Sequence, residues 1–154
     1  MNIRRARIED AKDLNNLLTQ LIQDEKQYDS NIDPDFVVTD FYEHYIDDPT
    51  RLLIVAEEDE FIVGYLYGII KENDETLTNK VALLDALYID ASYRGKGIAN
   101  NLIKEFKKWA IDNKVNALEV SVCSKNIKAK NLYHKHNFIT TKETLICKIN
   151  NSNN

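Results

Sequence analysis

The stretch Leu84-Asp85-Ala86-Leu87-Tyr88-Ile89-Asp90-Ala91-Ser92-Tyr93-Arg94-Gly95-Lys96-Gly97-Ile98-Ala99 decides how this chain is read. An apolar strand runs into a short basic glycine turn, and a long amphipathic helix starts at once. Glycines let the backbone come close to a ligand, while the N–H groups and dipole of the helix start favour an anion. Arg94 and Lys96 add positive charge beside those groups. Such a turn suits a phosphorylated ligand, although glycine also stands wherever a turn needs positive φ. Two nucleotide signatures do not fit. There is no G-x-x-x-x-G-K-S/T, and Asn100 stands where G-x-G-x-x-G needs its third glycine.

Working outward, residues 81–90 form a strand that is nearly apolar on both sides, as a central strand should be. The helix after the turn carries Ile98, Leu102, Ile103, Phe106, Trp109 and Ala110 on one face. Upstream, 51–56 and 61–70 read as a hairpin about Glu58-Asp59-Glu60, followed by a polar loop over 71–80. A first strand covers 3–6. Leu14, Leu17, Leu18, Leu21 and Ile22 predict a helix over 11–23. Pro34 fits the first position of a second short helix, with Phe36, Phe41 and Tyr45 on its apolar side. Downstream follow a strand at 117–122, a short helix at 127–135 and closing strands at 138–140 and 145–149. The order β-α-α-β-β-β-α-β-α-β-β predicts a mixed α/β sheet in one domain over 1–149, with a polar tail at 150–154.

The chain has 154 residues, 44% hydrophobic and 29% charged, and a formal net charge of −5. That balance argues against a nucleic-acid partner, which calls for a basic face. No apolar run approaches the roughly 18–20 residues of a membrane span, so no membrane partner is expected. The N-terminus runs straight into charged residues, with no apolar stretch of a signal peptide. Cys123 and Cys147 make neither a metal-type pair nor a disulfide framework, which fits a reducing, cytoplasmic setting. Asp24, Glu25, Asp29, Asp33, Asp35 and Asp40 form an acidic stretch. It reads either as a solvated face or as an attractor for a cationic amine.

Two motifs in order resemble those of the GCN5-related N-acetyltransferases. The family's Q/R-x-x-G-x-G/A is matched by Arg94-Gly95-Lys96-Gly97-Ile98-Ala99. Its later N-x-x-A-x-x-L/F-Y is matched by Asn126-Ile127-Lys128-Ala129-Lys130-Asn131-Leu132-Tyr133. The family's following Gly-Phe stands here as Asn137-Phe138, and Asn tolerates the left-handed region better than most residues. The resemblance implies acetyl-CoA as cosubstrate, its diphosphate on the N–H groups of Arg94, Gly95, Lys96, Gly97, Ile98 and Ala99. The pantetheine would enter where two parallel strands splay, between Leu87, Tyr88 and Ile89 on one side and 118–122 on the other. Backbone groups of Leu87 and Ile89 would pair with it, and Asn126 would contact it through its amide. A small-molecule amine is the implied acceptor, and a homodimer through the C-terminal strands is implied by resemblance alone.

Transfer poses two proton problems. A lysine-like amine, with a pKa of about 10.4, must lose a proton before it attacks, and the departing thiolate must gain one. Tyr133 matches the family's general-acid tyrosine; beside Leu132 it also reads as a core aromatic. Asp85 stands in an otherwise apolar run, where a carboxylate is costly unless it faces a cleft or a partner. It reads as the general base or as a paired strand residue. Glu119 is the second candidate base, and a solvated strand residue is its plainer reading. Cys123 lies near the expected thioester, but His44, His134 and His136 are not placed to activate it, so direct transfer in a ternary complex is expected. The alternatives are an inactive acyl-CoA-binding module and an acetyltransferase of protein or peptide amines.

Overall fold

The computed structural model describes residues 1–72 and 75–150. Five strands form one sheet in the order β1-β2-β3-β4-β5. They are β1 Asn2–Arg5, β2 Arg51–Glu58, β3 Phe61–Ile70, β4 Val81–Ile89 and β5 Ala117–Val120. Neighbours are antiparallel except β4 and β5, which are parallel and joined through α2 (Ile98–Asp112). The other helices are α1 (Ala11–Asp24) and α3 (Ile127–Lys135).

The sheet buries both faces, which is why its central strands read as apolar runs. On one face Leu52, Ile54, Leu66 and Leu84 pack against Leu102, Ile103, Phe106 and Trp109 of α2. Gly68 permits this approach: a Cβ there would lie 2.6 Å from the Phe106 ring. On the other face Leu53, Val55, Tyr65, Tyr67, Ala86 and Tyr88 meet Leu14 and Leu17 of α1 and the buried Tyr42. An ion network closes the N-terminal edge. Arg4 donates to Asp10 at 2.8 Å and to Glu57 at 2.6 Å, tying β1 to β2 and to the start of α1. Burial opposes ionisation of Asp10, but Arg4 and the Arg7 amide outweigh it and hold the carboxyl below its usual range.

The register of β4 against β3 is interrupted once. Tyr67 of β3 faces Ala86, while its neighbour Gly68 faces Leu84. Asp85 is therefore an extra residue on β4, a bulge that reverses which side chains point to which face. Before it, Ala82 and Leu84 face α2; after it, Ala86 and Tyr88 face α1.

Two expectations fail. No α-helix follows Pro34; among the described residues that segment holds a turn and a single 3-10 turn at Tyr42–His44. The Asp33 side chain accepts from the Asp35 N–H, and Gln23 takes the carbonyls of Asp33 and Phe36, so side chains satisfy the backbone that a helix would have used. Phe36 is exposed, while Phe41 and Tyr45 pack on the α1-side core. The closing strands at 138–140 and 145–149 are also absent, and residues 139–150 are exposed. Residues 151–154 of the expected tail, and 73–74 of the 71–80 loop, lie outside the described residues.

Candidate active site

The parallel pairing of β4 with β5 ends at Leu84 opposite Val120. Beyond it β4 runs on to Ile89, while β5 ends at Val120. The Asp90 N–H bonds to the Val63 carbonyl on β3. By the two-residue repeat of a strand, Leu87 and Ile89 turn their backbone groups to the open side, whereas those of Tyr88 face β3. β4 thus outruns its parallel partner, and Leu87 and Ile89 offer a free backbone edge there. Arg94 uses part of that edge: its Nε donates to the Ile89 carbonyl at 2.9 Å.

The glycine turn lies at the end of the same edge. Gly95 and Gly97 have φ of +78° and +81°, a region in which any other L-residue is strained. Gly97 stands before the first residue of α2, and a Cβ at either glycine would meet nothing within 4 Å. Open space in front of the opening N–H groups of a 15-residue helix is the shape an anion cradle needs. Gly97→Ala should cost about 1–2 kcal/mol of stability from the left-handed φ. It should also weaken CoA binding, because the methyl enters the cradle. Thermal unfolding and calorimetric titration with CoA measure the two separately.

Arg94 is half-exposed and turns back toward α1. Its guanidinium lies 3.4 Å from Asp24 and 5.2 Å from the centre of the Tyr88 ring, and so ties the turn to the end of α1. Lys96 lies over Tyr93 at 5.0 Å. Further positive charge lies close by. An open groove of 590 Å³ between the start of α2 and the end of α3 is lined by Gly97, Asn100, Lys104, Lys107, Lys135 and His136. Lys107 donates to the His136 carbonyl at 2.7 Å, and His136 pairs with Asn100 at 2.8 Å. These residues lie far apart in sequence, so the groove has no linear motif.

On the far side of the opening, Asn126 caps α3 by accepting the Ala129 N–H at 3.1 Å, which leaves its NH₂ group for a ligand. Asn137 adopts φ +70° and ends α3, as the family's glycine would. Tyr133 packs edge-on against Phe138 with ring centres 5.6 Å apart. Burial, reinforced by the charge of Glu25, pushes its hydroxyl pKa up to about 12. It therefore keeps its proton at neutral pH.

On the α1 side, Asp85 stands at the bulge near Tyr42, Tyr65 and Tyr67, whose hydroxyls all feel its charge. Asp85 is accessible to solvent, yet enough protein surrounds its carboxyl that burial holds the pKa above the usual range, partly offset by Arg51. The Tyr42 and Tyr65 hydroxyls bond at 2.9 Å, and Arg51 donates to the Tyr67 hydroxyl. Arg51 also lies 4.1 Å from the centre of the Tyr45 ring.

Most of the acidic stretch is already engaged. Asp24 accepts from the Tyr88 hydroxyl at 3.2 Å, Asp29 and Asp33 accept backbone N–H groups, and Asp40 pairs with His44. Glu25 differs. It is half-buried at the end of α1, its carboxylate accepts no hydrogen bond among the described residues, and its charge reaches Tyr65, Cys123 and Tyr133. Burial and the nearby Asp29 raise its pKa. The sequence does not set it apart from the rest of the acidic stretch; only the fold does. Glu119 lies 3.5 Å from Lys71, as an ordinary strand ion pair. Burial, with Glu25 and Asp29, raises the Cys123 thiol pKa, which disfavours the thiolate that a nucleophile requires. Among the described residues no cluster of His, Cys, Asp and Glu could hold a metal ion.

The Acetyltransferase (GNAT) family profile matches residues 16–138. This chain belongs to that family. The GNAT chain is 33% identical over 78 residues to a streptothricin acetyltransferase of Escherichia coli, covering 51% of the chain and 44% of the relative. It is 32% identical over 79 residues to a spermine/spermidine N(1)-acetyltransferase of Bacillus subtilis, covering 50% and 52%. The matches thus span about half the length of these relatives. The crystal structure of a mutant BH1408 protein from Bacillus halodurans superposes with a TM-score of 0.86 at 21% identity, covering 97% of this chain and 99% of that one. The GNAT family uses acetyl-CoA as cosubstrate.

Proposed function

We propose that this protein is an acetyl-CoA-dependent N-acetyltransferase that moves an acetyl group directly to a primary amine of a small cationic molecule, a polyamine foremost. The observation that carries the reading is the opening between β4 and β5. A glycine cradle closes one end of it, Asp85 lies on its α1 side, and Tyr133 stands across it. The N–H groups of Gly95, Lys96, Gly97, Ile98 and Ala99 would hold the diphosphate, with Lys104, Lys107 and Lys135 along the groove beyond. The backbone of Leu87 and Ile89, and the amide of Asn126, would orient the pantetheine arm. The cosubstrate supplies the activated acetyl group; the protein supplies position and proton handling.

In this mechanism Asp85 removes a proton from the bound ammonium, and the freed amine attacks the thioester carbonyl. Tyr133 gives its proton to the departing sulfur. Glu25 and the carboxylates at the end of α1 attract the cation. The half-length match to a spermine/spermidine acetyltransferase favours polyamines among cationic amines. Two free thiols, Cys123 and Cys147, fit a reducing, cytoplasmic setting. The chain is offered acetyl-CoA with an equimolar mixture of spermidine, an aminoglycoside and a lysine peptide, and the products are read by mass spectrometry. Spermidine is expected to be acetylated first. Acetylation of the peptide alone would overturn the acceptor class, and acetylation of none would favour the inactive acyl-CoA-binding module.

One observation supports a second assignment within the same reaction. Glu25 acts electrostatically on Tyr133, whereas Asp85 is not among the charges that shift Tyr133. Glu25 as base, with Asp85 holding a second ammonium group, is the competing arrangement. Under the first arrangement Glu25→Gln raises the KM of the amine and leaves the rising limb of the pH–rate profile in place. Loss of that limb in Glu25→Gln, but not in Asp85→Asn, would exchange the two roles.

A further inference from the structure

The glycine turn and the end of α1 meet at the side chain of Arg94. Its Nε donates to the Ile89 carbonyl at 2.9 Å, on the free edge of β4. Its Nη2 lies 3.4 Å from Asp24 Oδ2, and the guanidinium stands 5.2 Å from the centre of the Tyr88 ring. The Tyr88 hydroxyl donates to the same Asp24 oxygen at 3.2 Å. Tyr88 is buried, so it holds one side of that carboxylate firmly. Arg94 and Asp24 are open to water, with side-chain exposures of 51% and 50%. One guanidinium thus touches the β4 edge through one nitrogen and a carboxylate of the acidic stretch through another.

The hold on Asp24 is weak. An ion pair at 3.4 Å between half-exposed side chains contributes little, because water competes for both charges. A diphosphate carries more charge than one carboxylate, and its oxygens suit the planar fork of a guanidinium. Arg94 immediately precedes Gly95, the first of the two left-handed glycines, so an anion held on the turn stands beside it. Arginine keeps its charge at every working pH, so which anion it faces depends only on which one attracts it more strongly. When Arg94 turns away, Asp24 keeps the Tyr88 hydroxyl and regains an unpaired charge at the end of α1.

We propose that Arg94 is a positioning residue that couples the two substrates. It masks Asp24 until an anion occupies the glycine turn, and then leaves that carboxylate to an ammonium group of the acceptor. The inference rests on reading the turn as the CoA site and the acceptor as a cationic amine. It singles out Asp24 from the acidic stretch as the carboxylate whose charge CoA controls. Asp29 and Asp33 accept backbone N–H groups and Asp40 pairs with His44, so their charges are engaged away from the turn. Coupling of this kind is reciprocal: CoA tightens the amine and the amine tightens CoA by the same factor.

Calorimetric titration reads both halves. In the wild-type chain, saturating CoA is expected to tighten spermidine binding by about two- to fivefold, the scale of one half-exposed ion pair. Arg94→Gln unmasks Asp24, so spermidine should bind this variant without CoA as tightly as it binds wild type with CoA. Asp24→Asn removes the rival anion. CoA should bind it about two- to fivefold tighter than wild type, and spermidine should bind it weakly with no gain from CoA. A link that merely held the turn against α1 would give the reverse, a loss of CoA affinity. Unchanged or weaker CoA binding in Asp24→Asn would therefore overturn the proposal, as would wild-type spermidine binding that is indifferent to CoA. The CoA titration needs no acceptor. If spermidine binds in neither state while Asp24→Asn still gains CoA affinity, the acceptor class is wrong and the coupling through Arg94 stands. A wild-type chain that binds no CoA would overturn both.

Discussion

Replacing Asp85 with Asn is expected to lower kcat by about 10²- to 10⁴-fold, the range that a positioned base contributes. The expectation rests on the bulge. Without an extra residue between Leu84 and Ala86, the Tyr67–Ala86 and Gly68–Leu84 pairs could not both form, and Ala86 and Tyr88 would not share the α1 side with Asp85. A base must also be deprotonated to work, and burial holds the Asp85 carboxyl above its usual range. The wild-type rate should therefore rise with pH through a midpoint higher than that of an ordinary aspartate, and Asp85→Asn should lack this limb. Stability should change in the opposite sense. The folded state holds the Asp85 proton more tightly than the unfolded state, so stability falls as pH rises from the unfolded pKa through the folded one. Above both values the ionised carboxylate is a net cost, and Asp85→Asn should melt higher than wild type at neutral pH. An unchanged rate and pH profile would remove Asp85 from the chemistry.

Tyr133→Phe should reduce turnover by a comparable factor, about 10²- to 10⁴-fold, if the tyrosine is the proton donor. The ring packs against Phe138, and phenylalanine preserves that contact, so the fold should survive. CoA binding should also survive, since a proton donor to the leaving sulfur takes no part in the cradle. With a hydroxyl pKa near 12, the acid stays protonated across the working range, and activity should fall only at strongly alkaline pH. Full turnover in Tyr133→Phe, with CoA binding intact, would leave water as the proton source.

Much of this was legible in the residues, for identifiable reasons. The helix Ile127–Lys135 and the strand Phe61–Ile70 stand where periodicity and turn residues placed them. The glycine turn was readable because φ of +78° and +81° narrows the choice of residue. The bulge left no such mark, because an extra strand residue changes register without changing composition. Glu25 was hidden among five other acidic residues, and only the path of α1 separates it from them. The basic groove draws lysines from two helices brought together by the β4–α2–β5 crossover. The helix after Pro34 was misread because the local pattern does not show that Gln23 and Asp33 satisfy its backbone. The closing strands were read from a strand-like composition that is real, but β pairing depends on a partner edge.

The most direct test varies acetyl-CoA and spermidine together and reads initial rates of thiol release with a thiol reagent. Direct transfer between two bound substrates predicts release that requires the amine, with double-reciprocal lines that intersect. Parallel lines would point to an acetylated enzyme intermediate. No amine-dependent release across polyamines, aminoglycosides and peptides, in a protein that still binds CoA, would contradict the assignment as an N-acetyltransferase.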